Sequence, residues 1–127
     1  SRKQQAIETT WDLSQIIENV YKKTYRSRSQ VHPATKTFQA LRIAVNDELH
    51  VLEEGLGQAF EILESHGRCV VISFQGLEDK VIKETSKTWQ EKGLITGVIK
   101  HVIRPNETEI AANPRSRSAK MRIFEKN

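Results

Sequence analysis

Of everything in this 127-residue chain, the run Arg68-Cys69-Val70-Val71-Ile72-Ser73-Phe74 most constrains the fold. It is β-branched, of strand length and lacks the polar alternation of a strand with one wet face, so it predicts a strand buried on both faces. Helical patterns flank it. Upstream, Phe38, Leu41, Val45, Leu49, Leu52, Leu56, Phe60 and Leu63 recur at intervals of three and four residues, which predicts one long amphipathic helix or two in succession. Gly55 and Gly57 are the weak points of that stretch, since each costs a helix interior about 1 kcal/mol relative to Ala. Ser65-His66-Gly67 ends it. Downstream, Gln75-Gly76 turns the strand into a helix over residues 77–90, closed by Gly93. Helix, buried strand, helix is the order of an α/β sheet.

The remaining elements are shorter. Thr9-Thr10-Trp11-Asp12 fits the Ser/Thr-x-x-Asp/Glu helix start, and Leu13, Ile16, Ile17 and Val20 follow at helical spacing, which predicts a first helix over residues 10–21. Residues 22–30 are rich in Lys, Arg and Ser without apolar periodicity and read as an exposed basic loop. Residues 98–103 and 120–124 are two more strands by composition. Between them Pro105 and Asn106 start a short helix through Ala112, and Asn113-Pro114 stops it.

Charge is unevenly placed. The chain has 20 Lys and Arg against 16 Asp and Glu, a net charge of +4, yet residues 1–30 and 113–127 are basic while the middle is acidic. Asp47, Glu48, Glu53, Glu54, Glu61 and Glu64 follow one another with no Lys or Arg among them, so that stretch repels a polyanion. A phosphate backbone would have to meet the ends of the chain. The longest apolar run, residues 69–72, is far below the roughly 20 residues that span a bilayer, and a single cysteine cannot form an internal disulfide. The expectation is a soluble, cytoplasmic protein without membrane partners.

Few residues invite catalytic roles on spacing alone. His32, His50, His66 and His101 are scattered, with neither His-x-x-x-His nor Cys-paired spacing, so no metal site is expected. Gly55-x-Gly57 does not become a dinucleotide loop, because the third glycine position is Phe60 and no strand precedes it. Cys69 lies inside the buried strand, where a small apolar role suits it. Two segments stand out. The first, Ser73-Phe74-Gln75-Gly76-Leu77-Glu78-Asp79-Lys80, lies at the carboxyl end of the strand, where open α/β sheets place their ligand crevice. Glu78 and Asp79 also suit simple capping of the following helix. The second, residues 113–122, alternates Arg115, Arg117, Lys120 and Arg122 with small hydroxyl residues, a composition suited to phosphate oxygens or to a solvated basic loop.

Four blocks, in order, carry a resemblance. They are Glu8-Thr9-Thr10; residues 32–49, beginning His32-Pro33-Ala34-Thr35-Lys36-Thr37-Phe38; Val71-Ile72-Ser73-Phe74 with Leu77-Glu78-Asp79; and Asn113-Pro114-Arg115-Ser116-Arg117-Ser118-Ala119-Lys120. With these the chain resembles the C-terminal portion of the MraW family of bacterial 16S ribosomal RNA cytosine N(4)-methyltransferases. The resemblance implies the C-terminal half of a class I, Rossmann-like methyltransferase sheet, at residues 46–127, preceded at residues 1–45 by the end of a helical insert domain. It implies S-adenosyl-L-methionine as cofactor, with the glycine-rich loop that binds it upstream of this chain, and 16S rRNA or the small ribosomal subunit as partner. Where the family usually shows Ser-Phe-His-Ser-Leu-Glu-Asp-Arg, this chain has Ser73-Phe74-Gln75-Gly76-Leu77-Glu78-Asp79-Lys80, which removes a titratable group beside the crevice.

On this reading Ser73, Phe74 and Asp79 form a crevice wall, with Phe74 as a stacking surface for a splayed base. Lys36, Arg42, Arg115, Arg117, Lys120 and Arg122 are the candidate RNA contacts. No catalytic or cofactor-binding residue is assigned within the chain, and the chain alone is expected to be inactive. The competing expectation is a non-catalytic RNA-binding or scaffolding module that has lost its cofactor-binding half. Half a sheet also exposes a strand edge, which invites homodimerisation.

Overall fold

A computed structural model describes residues 6–24, 31–97 and 101–127. The chain divides into two compact units, Ser1–Asp47 and Glu48–Asn127. The first holds α1 (Thr10–Thr24) and α2 (Thr35–Asn46). The capping signal at its start acts as the residues require: the Asp12 N–H donates to Thr9 Oγ1, while the Asp12 carboxylate accepts from the Thr9 N–H at 2.9 Å. α1 runs three residues past Tyr21, the end expected from its apolar spacing, and the rest of the expected basic loop, residues 25–30, lies outside the described residues. Before α2, Ala34 is buried, its N–H donates to His32 Nδ1, and the other ring nitrogen of His32 lies 2.9 Å from Glu18 of α1. Ile16, Ile17, Val20 and Tyr21 of α1 face Pro33 and Thr37 across an apolar cavity of about 320 Å³.

The long apolar periodicity breaks at Asp47, not at either glycine. Asp47 adopts the left-handed conformation with φ 51°, and its N–H closes α2 on the Ile43 carbonyl. Asp tolerates this region better than most residues because its short polar side chain can bond locally. Gly55 and Gly57 sit inside α3 (Glu48–Ile62) without interrupting it.

In the second unit α3 leads to β1 (Arg68–Ser73), α4 (Gly76–Glu91), β2 (Ile95–Gly97), α5 (Glu107–Ala112), a 3-10 turn at Pro114–Ser118 and β3 (Lys120–Lys126). The sheet order is β1-β3-β2, with β3 antiparallel to both neighbours, so β1 and β2 run the same way on either side of a reversed strand. The second strand is shifted from its expected place. It occupies Ile95–Gly97, after a turn in which Gly93 takes φ 67°. Of the expected strand at 98–103, residues 98–100 lie outside the described residues and only Ile103 is seen pairing, as a single bridge to Met121.

Register determines which side chains meet. Cys69 faces Phe124, Val71 faces Arg122 and Ser73 faces Lys120, and this is the side on which the helices pack. The core there is Leu56 of α3, Ile82 of α4, Ile95 and Phe124, with Leu52, Phe60, Cys69, Val71 and Trp89 around it. Trp89 stacks on Phe60 at 4.7 Å and meets Phe124 edge-on at 5.5 Å. Lys126 closes α3: its Nζ donates to the Phe60 and Leu63 carbonyls at 3.0 and 2.7 Å, satisfying groups the helix end leaves unpaired.

The strand expected to be buried on both faces is covered on one. Val70 and Ile72, on the opposite side from the helices, are 54% and 56% exposed, and β1 is an edge strand. An unbroken apolar run is the signature of a strand between two layers. Among the described residues of this unit only one of those layers is present. No described helix is long and apolar enough to cross a membrane.

Candidate functional site at the carboxyl end of β1

Because Ser73 pairs with Lys120, the end of β1, the start of α4 and the turn before β3 meet at one place. Ser73 is the last residue of β1 and is only 3% exposed, and its Oγ has no hydrogen-bond partner among the described residues. The chain then turns outward. Phe74 is 53% exposed and Leu77 48%, leaving an apolar surface at this end of the sheet.

The two acids of the Leu77-Glu78-Asp79 block do different work. Glu78 caps α4, its Oε2 accepting the N–H groups of both Phe74 and Gln75 at 3.0 Å. Asp79 leaves the helix end and crosses to β3, where Oδ2 accepts from Lys120 Nζ at 3.1 Å and Oδ1 from Arg122 Nε at 2.8 Å. All three side chains are at most 23% exposed. Burial raises the Asp79 pKa, but the hydrogen bonds and charges of Arg122 and Lys120 outweigh it and hold the carboxyl below its ordinary value. Asp79 is therefore ionised and a poor proton acceptor, suited to anchoring β3 rather than to general base work.

Arg115 and Arg117 have the opposite surroundings. They lie in the 3-10 turn, separated by Ser116, which is 5% exposed and donates its hydroxyl to the Asn113 carbonyl at 2.8 Å. Anchoring the serine inward leaves both arginines exposed, and neither has a partner among the described residues. The turn runs directly into Lys120, which pairs with Ser73, so the arginine turn adjoins the end of β1.

The structure thus brings together Ser73, Asp79, Lys120 and Arg122 of the residues singled out from sequence, with Phe74, Arg115 and Arg117 exposed at the same end. Lys36 and Arg42 belong to the first unit, both exposed on α2. No local sequence signal marks the ion triad. Asp79 lies 41 and 43 residues from its cations, and only strand register joins them. Among the described residues no group of three or more His, Cys, Asp and Glu could hold a metal ion, and burial pushes the Cys69 thiol up, away from reactivity.

An α/β unit with an anionic anchor, an open apolar surface and free arginines at the carboxyl end of a strand has the outline of a ligand-binding piece of an open sheet. The comparisons specify the family. The model of the MraW methylase family matches residues 1–127, and the chain belongs to that family. It is 44% identical over 126 residues to the ribosomal RNA small subunit methyltransferase H of Coprothermobacter proteolyticus, covering 99% of this chain and 41% of that protein. Proteins of the same name from Sulfurihydrogenibium azorense and Persephonella marina are 47% identical over 122 residues and 46% over 123. These alignments cover 96% and 97% of this chain and 41% and 42% of those relatives. The chain spans about two fifths of the length of the curated relatives it matches.

Proposed function

We propose that this chain is the C-terminal part of an S-adenosylmethionine-dependent methyltransferase acting on the exocyclic N4 of a cytidine in small-subunit ribosomal RNA. The observation that carries the reading is the match of all 127 residues to a family whose curated relatives bear the name of ribosomal RNA methyltransferases. The half-covered sheet supports it. A strand as apolar as β1, open on one face and one edge, suits completion by the part of the protein that the relatives possess beyond the matched segment. Residues 46–127 then correspond to the last strands and helices of a class I sheet, and residues 1–45 to the end of a helical insert.

The described residues do not by themselves fit the cofactor. The turn from β1 into α4 has its leading Phe74 and Gln75 amides taken by the Glu78 carboxylate, so the turn offers a negative group where an anionic carboxylate would need donors. What this segment supplies is the substrate side. An exocyclic amine conjugated to its ring is a weak nucleophile and must be oriented. Phe74 offers a flat apolar surface for a splayed base, Arg115 and Arg117 hold phosphates, and the Asp79 triad fixes β3 and the arginine turn against the end of β1.

Isothermal titration of the 127-residue chain with S-adenosylmethionine tests the division of labour. Millimolar or weaker affinity is expected. Micromolar affinity would contradict it by putting a cofactor site within this segment.

A further inference from the structure

The site above leaves unused a groove of about 500 Å³ between α4 and the β2–β3 side of the sheet. Its helix wall is Lys83, Ser86, Lys87 and Gln90, a single stripe of α4. Thr96, Gly97 and Arg122 line the sheet side, and the buried Ile95 and Phe124 form its floor. No acid lines it. The Lys83 ammonium has no partner among the described residues, and that of Lys87 has only Glu91, at 3.5 Å, in a pair whose members are 72% and 64% exposed. Such a pair leaves the Lys87 charge largely available. Lys83 and Lys87 lie one helical turn apart on one stripe and repel each other, a cost that a polyanion beside them would relieve.

The other flank of α4 makes the contrast. There a second cavity is lined by Glu53 and Glu84 with Val81, Thr85, Thr88 and Trp89, and it repels what the first would attract. On the lysine flank the backbone is also approachable, because among the described residues a Cβ added at Gly97 would meet nothing within 4 Å. A cationic, acid-free groove with an accessible backbone wall suits a polyanion lying along it rather than an acidic peptide, whose side chains would need separate pockets.

We propose that this groove binds the phosphodiester backbone of RNA, with Lys83 and Lys87 contacting neighbouring phosphates, as a second contact besides the Arg115–Arg117 turn. The proposal rests on the RNA-directed reading above but is separable from it. The test is fluorescence anisotropy of a labelled single-stranded oligoribonucleotide with the 127-residue chain, titrated across salt concentrations. Wild type is compared with Lys83→Gln/Lys87→Gln and with Arg115→Ala/Arg117→Ala. Each double variant should bind more weakly, and each should flatten the slope of log affinity against log salt by about 1.4, at about 0.7 per phosphate contact on a single strand. Amide resonances of Lys87 and Gly97 should shift on adding the RNA. If the lysine variant keeps the wild-type affinity and slope while the arginine variant loses both, or if those resonances do not move, the groove is overturned and the RNA reading stands. Wild-type chain with no salt-dependent RNA binding overturns both.

Discussion

Asp79→Asn should destabilise the second unit by about 3 kcal/mol, near the lower end of what breaking a buried ion pair costs. The substitution keeps the shape of the side chain and removes the charge that Lys120 and Arg122 face from β3. Both cations are about four-fifths buried, so water cannot replace the carboxylate for them. The pH dependence gives an independent check. Asp79 is held below the ordinary carboxylate range in the folded chain, so its contribution is fully present above the unfolded value of about 3.9 and is lost as pH falls through the lower folded value. Urea denaturation followed by circular dichroism should therefore show wild-type stability falling on the acid side. Asp79→Asn should start lower and lose less there. Equal acid slopes for the two proteins would mean that the triad contributes nothing.

Phe124→Ala should cost about 3–5 kcal/mol, the usual range for removing a buried aromatic side chain. Phe124 sits on the central strand, 3% exposed, and touches the core built from Leu56, Ile82 and Ile95. It also meets Trp89 edge-on. Native domains are stable by only about 5–15 kcal/mol, and a core with four buried large apolar residues among the described ones belongs at the low end of that range. The variant should be substantially unfolded at ambient temperature, with the fluorescence of Trp89 shifted to that of a solvated indole. A cooperative unfolding transition at the wild-type urea concentration would show that the core lies elsewhere.

The sequence was most legible where local chemistry decides the outcome. The Thr9 to Asp12 capping box, the start of β1, the helix that follows it and the strand at the C-terminus all fall within a few residues of where their signals put them. The break at Asp47 was not legible, because the apolar spacing runs through it undisturbed and a left-handed aspartate leaves no mark as clear as glycine. β1 is less buried than its composition predicts. Its composition suits a strand between two layers, and among the described residues of this unit only one of them is present. At the site, Glu78 as a cap was readable from its position, whereas the Asp79 triad depends on the register that sets Ser73 opposite Lys120. The inward turn of Ser116, which leaves Arg115 and Arg117 exposed, needs the 3-10 geometry. The Lys83–Lys87 stripe is visible on a helical projection, but its meaning depends on the sheet wall opposite.

On the proposed function, these residues complete a ribosomal RNA methyltransferase. That role is tested most directly by substituting the 127-residue chain for the matching 41% of the Coprothermobacter proteolyticus relative and assaying transfer of labelled methyl from S-adenosylmethionine to unmodified small-subunit rRNA. Label is expected on the exocyclic N4 of a cytidine, and is expected to be lost when Arg115 and Arg117 are both replaced by alanine. A chimera that folds and binds S-adenosylmethionine but leaves the rRNA unlabelled would contradict that role.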